Sequence, residues 1–231
     1  SLMDAVMKRL AGELPSIQVT ALRALSSLPL ILLYVHWRGA WASLWQVRWP
    51  LHLFRVGLGV AMLTLFAFAL KRLPLTEAYA LFYISPLAIA ALSIPFLGEK
   101  VSKASWIAIA FGLLGVLVVL KPSGKGLVSL AGLAVLVSAL CYACSAITVR
   151  LLSRTDSSES MVWWVMFGVA LVAGFVAAPG WVAVGFKHGW LLAALAITGF
   201  IGQLTITEAF KLAPAATVTP FEYSALAWGL G

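Results

Sequence analysis

Residues Leu51–Tyr83, LHLFRVGLGVAMLTLFAFALKRLPLTEAYALFY, return in altered form at Leu191–Tyr223, LLAALAITGFIGQLTITEAFKLAPAATVTPFEY. At a constant offset of 140 positions and with no gap, Leu51 pairs with Leu191, Gly59 with Gly199 and Ala69 with Ala209. Lys71 pairs with Lys211, Pro74 with Pro214 and Tyr83 with Tyr223. Each copy is a long apolar run closed by a lysine and a proline. Duplicated apolar helices of this kind are a common ground plan of secondary transporters.

Composition puts that repeat in a bilayer. Of 231 residues, 62% are hydrophobic and 10% charged, against about 45–50% apolar and about 25% charged in soluble domains. The fold class is therefore an all-α polytopic membrane protein. The net charge of +8 would suggest nucleic acid in a soluble chain, but the sixteen Lys and Arg residues fall almost entirely between apolar runs. There they anchor helix ends at the interface, and no nucleic-acid partner is expected. Cys141 and Cys144 lie one turn apart in a single apolar run, a spacing that suits helix packing better than metal ligation. The charges in SLMDAVMKRL interrupt any signal-peptide core.

A spanning helix needs about 20 apolar residues. Breakers such as KPSGK at 121–125 and RTDSSE at 154–159 divide the chain into helices near 17–36, 51–71, 75–97, 103–121, 127–150, 160–178 and 189–211. Partial helices flank them, an amphipathic piece over 1–11 and a run from Ala215 to Gly231. Ser145–Leu151 resembles Asp4–Leu10 at an offset of 141, pairing Ala5 with Ala146 and Arg9 with Arg150. Because the helix ending near Arg150 starts near Leu127, the first helix is expected to lack its leading half.

The first repeat is thus expected over 1–122 and the second over 127–231. Pro122 maps onto position 262, so roughly 31 residues of the second repeat are expected to lie beyond the chain. The pattern predicts two inverted five-helix repeats, here about nine helices with the first and last truncated, because an odd number of spans per repeat turns the second copy over. Loop charges give no orientation. Lys8, Arg9, Lys71, Arg72, Lys121, Lys125 and Lys187 fall on one face, and Arg38, Arg48, Lys100, Lys103, Arg150, Arg154 and Lys211 on the other.

LGEKVSKASWIAIAFGLLGV at 97–116, a Gly-Glu-basic turn leading into a glycine-bearing helix, resembles the EamA-type members of the drug/metabolite transporter superfamily. ALRAL at 21–25 resembles the arginine-bearing start of that family's second helix, ALKRLP at 69–74 its third-to-fourth helix turn, and PFEY at 220–223 its ninth helix. The combination of MDAVMK at 3–8 with Arg23 also resembles the subgroup that contains riboflavin and S-adenosylmethionine carriers. The resemblance covers essentially the whole chain. It implies a multi-pass carrier of the bacterial inner membrane with ten helices, alternating access between inverted halves, and a small organic substrate.

Ionisable groups inside spans demand a reason, at about 2.5–3.5 kcal/mol each on insertion scales. Glu222 follows Pro220, where a lost helical hydrogen bond frees backbone groups for a substrate or ion; alternatively it is an interfacial carboxylate bonded to Thr219 or a tyrosine. Glu208 is a second proton-coupling candidate, although a pair with Lys211 three residues on also accounts for it. Gln203, Thr207 and Phe210 share one helical face, which is expected to look inward. Arg23 is read either as snorkelling, as pairing with Asp4, or as a clamp for a substrate anion.

Tyr79, Tyr83 and Tyr223 lie on corresponding proline-bearing helices and are expected to wall a cavity near a pseudo-twofold axis. The substrate-binding set is therefore Arg23, Tyr79, Tyr83, Gln203, Thr207, Glu222 and Tyr223. A pocket is expected between helices near 18–30, 55–66, 79–90, 200–208 and 217–226. Glu77 and Glu99 are read as structural, at a helix start and beside Lys100. Asp4 and Lys8, one turn apart, suit a local pair. Trp37, Trp41, Trp45 and Trp49 suit an interfacial belt. Ala104, Ala108 and Gly112 offer a flat face for close packing, within the bundle or across a homodimer. No cofactor or metal is expected, and the lipid bilayer and a small-molecule substrate are the expected partners. A membrane enzyme would need clustered His, Asp or Cys, whereas His36, His52 and His188 stand singly. A channel, which tends to be built from rings of subunits, or a structural subunit is the other alternative.

Overall fold

The structure is a computed structural model, and residues 2–120, 129–185 and 188–224 are described. Ten α-helices occur among them: α1 (Leu2–Glu13), α2 (Ser16–Trp37), α3 (Trp49–Leu70), α4 (Leu75–Phe82), α5 (Ser85–Leu97), α6 (Lys103–Leu120), α7 (Leu130–Leu152), α8 (Ser158–Ala177), α9 (Gly189–Leu212) and α10 (Ala215–Val218). With α4 and α5 taken together, seven segments of the described residues are long and apolar enough to cross a membrane. Exposed faces such as Phe111, Leu114 and Val118 on α6 are apolar, as a lipid-facing surface requires. The chain is an all-α, multi-pass membrane protein.

Helix ends follow local chemistry. Ser129 and Ser157 cap α7 and α8 by accepting from the N–H groups of Gly132 and Ser160, at 3.0 and 3.1 Å, each satisfying an otherwise orphaned donor. Gly98 ends α5 at φ 68°, a left-handed position that costs a glycine nothing. The Gly98 and Glu99 N–H groups fold back onto the Ile94 and Ser93 carbonyls. Glu99 then turns away from Lys100. It accepts from Arg150 Nε at 3.1 Å and from the Ala215 N–H at 3.0 Å, tying three segments at one end of the bundle.

Two predicted helices differ from the observed ones. The single helix expected over 75–97 is broken between Phe82 and Ser85. Pro86 has no N–H for the Phe82 carbonyl, so α4 closes through Tyr83 and Ile84 onto Tyr79 and Leu81. Pro86 then sits in the first turn of α5, where no donor is needed. The run from Ala215 is α-helical only to Val218 and continues as a 3-10 helix over Thr219–Ser224. Pro220, which lacks the donor, is its second residue; residues 225–231 lie outside the described residues. Also outside them are the 121–125 turn, Lys187 and the side chain of Asp4.

α2 and α8 pack side by side and run in opposite directions. Gln18, near the start of α2, exchanges two hydrogen bonds with the backbone of Val182 just past α8, at 2.7 and 3.0 Å. At the other end, Arg38 after α2 meets Glu159 in the first turn of α8 at 3.2 Å. α8 is also the stretch that the 140-residue offset assigns to α2. Contacts one offset apart are reciprocal: a Cβ on Gly59 of α3 would touch Val165 and Val169 of α8, and one on Gly199 of α9 would touch Ser27 and Arg23 of α2. Both glycines thus let a neighbouring helix approach closely.

The end contacts sort into two faces. Lys71 donates to the Leu14 carbonyl on one face. On the opposite face Arg150 donates to Glu99 and to the Lys211 carbonyl. Trp37 and Trp45 are largely exposed at that second face, and Trp41 and Trp49 are partly exposed there. The rings of Trp45 and Trp49 pack edge-on against Trp164. Of the flat face predicted on α6, Gly112 lies under the Tyr223 ring within the bundle, while Ala104 and Ala108 are exposed.

Candidate functional site

A cavity of about 50 Å³ lies between α2, α3, α7, α8 and α9. Its polar lining comes from Arg23, Arg55, Tyr142, Ser145 and Gln203, and its apolar walls include Met62, Val165, Met166 and Phe210. Gly59 is also in the lining, where it lets α8 close the cavity wall. Relative to the predicted pocket, α7 and α8 take the place of segments 79–90 and 217–226.

Arg55 is the residue that the sequence reading missed. It is 1% exposed in α3. Nη1 donates to the Met161 carbonyl at 2.8 Å and Nη2 to Thr207 Oγ1 at 3.4 Å, while Nε has no hydrogen-bond partner. Both acceptors are neutral, and among the described residues no carboxylate comes within ion-pair distance of Arg55. The six apolar residues around it in LFRVGLG are the signal that marks it, since a cation there costs a few kcal/mol unless something compensates.

The predicted site residues separate into three groups. Arg23 and Gln203 line the cavity, and Gln203 Nε2 donates to Thr207 Oγ1 at 3.5 Å. Thr207 therefore links Gln203 to Arg55, and the face formed by Gln203, Thr207 and Phe210 does look inward. Arg23 is 5% exposed and its Nε donates to Met3 Sδ at 3.4 Å; the expected pairing with Asp4 falls outside the described side chains.

Tyr79, Tyr83 and Tyr223 form an aromatic row outside the cavity lining. Tyr79 and Tyr83 lie 6.0 Å apart and Tyr83 and Tyr223 5.6 Å apart between ring centroids. Tyr223 and Tyr83, one offset apart, are in contact, but the three tyrosines do not wall this cavity as expected, because they pack on one another instead. The helix break makes this row possible, because Tyr223 Oη donates to the Tyr83 carbonyl at 3.1 Å.

Glu222 stands between these groups. Tyr142, whose ring lies 5.6 Å from that of Phe82, donates through Oη to Glu222 Oε1 at 2.9 Å. Tyr142 is thus the bridge from Glu222 to the cavity, and the expected tyrosine partner is found, on α7. Glu208 makes no hydrogen bond or ion pair with any described residue. Its predicted pair with Lys211 is not formed, because Lys211 Nζ instead donates to Ser158 Oγ at 3.0 Å, where it also meets the opening turn of α8.

Two histidine–carboxylate pairs sit at opposite ends. His52 Nε2 lies 2.8 Å from Asp156 Oδ2, both buried, and His188 Nε2 lies 3.1 Å from Glu13 Oε2. Asp156 also accepts from the Arg48 N–H and from Thr155. Burial pushes its carboxyl up, but the bonds from Thr155, His52 and Arg48 outweigh that and hold it below its usual value.

Comparison with known proteins places this architecture. The profile of the EamA-like transporter family matches residues 1–121. A pseudopaline exporter, CntI, of Pseudomonas aeruginosa is 27% identical over all of this chain and 81% of its own. A riboflavin transporter of Vibrio cholerae is 30% identical over 92% of this chain and 72% of its own. An S-adenosylmethionine uptake transporter of Rickettsia felis is 26% identical over 95% and 74%. A crystal structure superposes with a TM-score of 0.78 at 21% identity, covering 97% of this chain and 82% of that one, so the fold is shared. With its apolar spans, its antiparallel α2–α8 core and a family match over more than half its length, the chain belongs to the EamA-like transporter family of membrane proteins.

Proposed function

We propose that this protein is a secondary carrier of a small organic metabolite in the bacterial inner membrane, working by alternating access between two inverted halves. The observation that carries the reading is the antiparallel α2–α8 pair, with a largely apolar cavity beside it that Arg23, Arg55 and Gln203 enter, and separate hydrogen-bonded contacts at each end. Division into repeats over 1–122 and 127–231 fits the reciprocal contacts of Gly59 and Gly199. The cavity is far smaller than the roughly 300–1,000 Å³ of a typical ligand site, so the helices must part on one side to admit a solute. The relatives are named for a pseudopaline, riboflavin and S-adenosylmethionine. All are organic solutes of metabolite size or somewhat larger, and that class is the one we assign here.

In this reading the substrate-facing groups are Arg23, Gln203 and Thr207, with Tyr79, Tyr83 and Tyr223 moving against one another as the halves rock. Glu222 is the better proton-coupling candidate because Tyr142 connects it to the cavity; Glu208 is the second. No covalent step is required. Purified protein in proteoliposomes should show saturable uptake accelerated by unlabelled solute inside, which a channel does not show. Uptake should respond to an imposed pH gradient in wild type and lose that response in Glu222→Gln. Uptake indifferent to the gradient in both would remove Glu222 as the coupling group.

A further inference from the structure

The carrier reading leaves the charge of the solute open, and Arg55 closes that gap. Its guanidinium is almost wholly buried, it lines the cavity, and it faces no carboxylate. Its two hydrogen-bond acceptors, the Met161 carbonyl and the Thr207 hydroxyl, are neutral, and its Nε makes no hydrogen bond. A second guanidinium, Arg23, lines the same cavity, and none of the described lining residues is acidic. A guanidinium as enclosed as that of Arg55, held by two neutral acceptors and with its Nε unbonded, is electrostatically incomplete. The group that best completes it is an anion presenting two oxygens to the guanidinium fork.

We propose that Arg55 is the primary anion-recognition residue of this carrier, and that its solutes present a carboxylate or phosphate to the cavity. The inference rests on the carrier reading above and goes beyond it in naming the charge of the substrate and the residue that reads it. The geometry also assigns a consequence. Arg55 sits on α3 while its present acceptors sit on α8 and α9. An arriving anion competes for the same N–H groups, so binding exchanges helix-to-helix bonds for helix-to-solute bonds at the place where the halves meet.

The test uses the full chain in phosphatidylcholine nanodiscs, with and without phosphatidylglycerol, and thermal shift as readout. Benzoate and phenyl phosphate are the anionic probes and benzamide the neutral counterpart. Saturable stabilisation by at least one anion, absent with benzamide, is expected, with affinity lowered about tenfold or more in Arg55→Gln and less in Arg55→Lys. Equal stabilisation by benzamide, a response to phosphatidylglycerol alone, or no anion response in wild type overturns the proposal without any variant having to fold. Unchanged anion affinity in a monodisperse Arg55→Gln protein overturns the role of that residue. Counterflow of a neutral or cationic solute that is insensitive to Arg55→Gln would leave the carrier reading standing and remove only this inference.

Discussion

Tyr223 donates its hydroxyl to the carbonyl of Tyr83, its counterpart 140 residues earlier, with the two rings 5.6 Å apart. On the two-repeat reading proposed above, a residue that touches its own repeat equivalent lies beside the axis that relates the copies. Because the broken helix at Tyr83 supplies the acceptor, Tyr223→Phe should lower the thermal midpoint modestly, by the equivalent of about 1 kcal/mol. Differential scanning fluorimetry in detergent would read it, and an unchanged midpoint would show that the bond carries no stability.

Space under that tyrosine is a sharper test. A Cβ on Gly112 would overlap the Tyr223 ring, and one on Gly168 would overlap Val56, whereas Gly115 and Gly174 have open space. Gly112→Ala and Gly168→Ala should each destabilise by about 1–3 kcal/mol through overpacking. Gly115→Ala and Gly174→Ala should be neutral or slightly stabilising, since alanine is the better helix former. Equal midpoints across the four variants would contradict the packing described.

Acid should loosen the face that holds Asp156. Its carboxyl is held below its ordinary value of 3.8, so its stabilising effect is complete above that pH and is lost as the pH falls through the lower folded value. Melting curves of wild type should therefore steepen downward at the acid end, and those of Asp156→Asn should start lower and depend less on pH there. Parallel curves for the two proteins would exclude Asp156 from the acid response.

The two ends of the α2–α8 pair can be locked separately. In a background with Cys141 and Cys144 replaced by serine, Arg38→Cys with Glu159→Cys should be joined by a short bismaleimide, and so should Gln18→Cys with Val182→Cys. Either crosslink should abolish counterflow, while each single cysteine variant retains it after the same treatment. The native Arg38–Glu159 pair is itself more than half exposed on the arginine side, so Glu159→Gln should leave the thermal midpoint nearly unchanged.

Much of the bundle was legible because lipid enforces a simple rule: spans are long, apolar and helical. The helical spacing of Gln203, Thr207 and Phe210 anticipated their shared inward face, whereas the offset that pairs Tyr83 with Tyr223 did not reveal that the two are in contact. The break at Pro86 was not read, since a proline in an apolar run signals either a kink or a new first turn. The cavity was harder still. The expected segments 18–30, 55–66 and 200–208 do line it, but α7 and α8 stand in place of 79–90 and 217–226, and their Tyr142 and Val165 look like ordinary span residues in the sequence. Arg55 was passed over because it stands only six residues into α3, near enough to the end to pass for an anchor, and only three-dimensional packing shows how deeply it is enclosed.

The opposed direction of α2 and α8 has a mechanical meaning. In the alternating-access cycle we propose, a helix pair tied at both ends would behave like scissors whose pivot can migrate: release Arg38 from Glu159 and the Gln18–Val182 tie becomes the hinge, release Gln18 and the roles exchange. One contact surface would then serve as latch and fulcrum in turn, each opening keeping the opposite end shut without a separate gate.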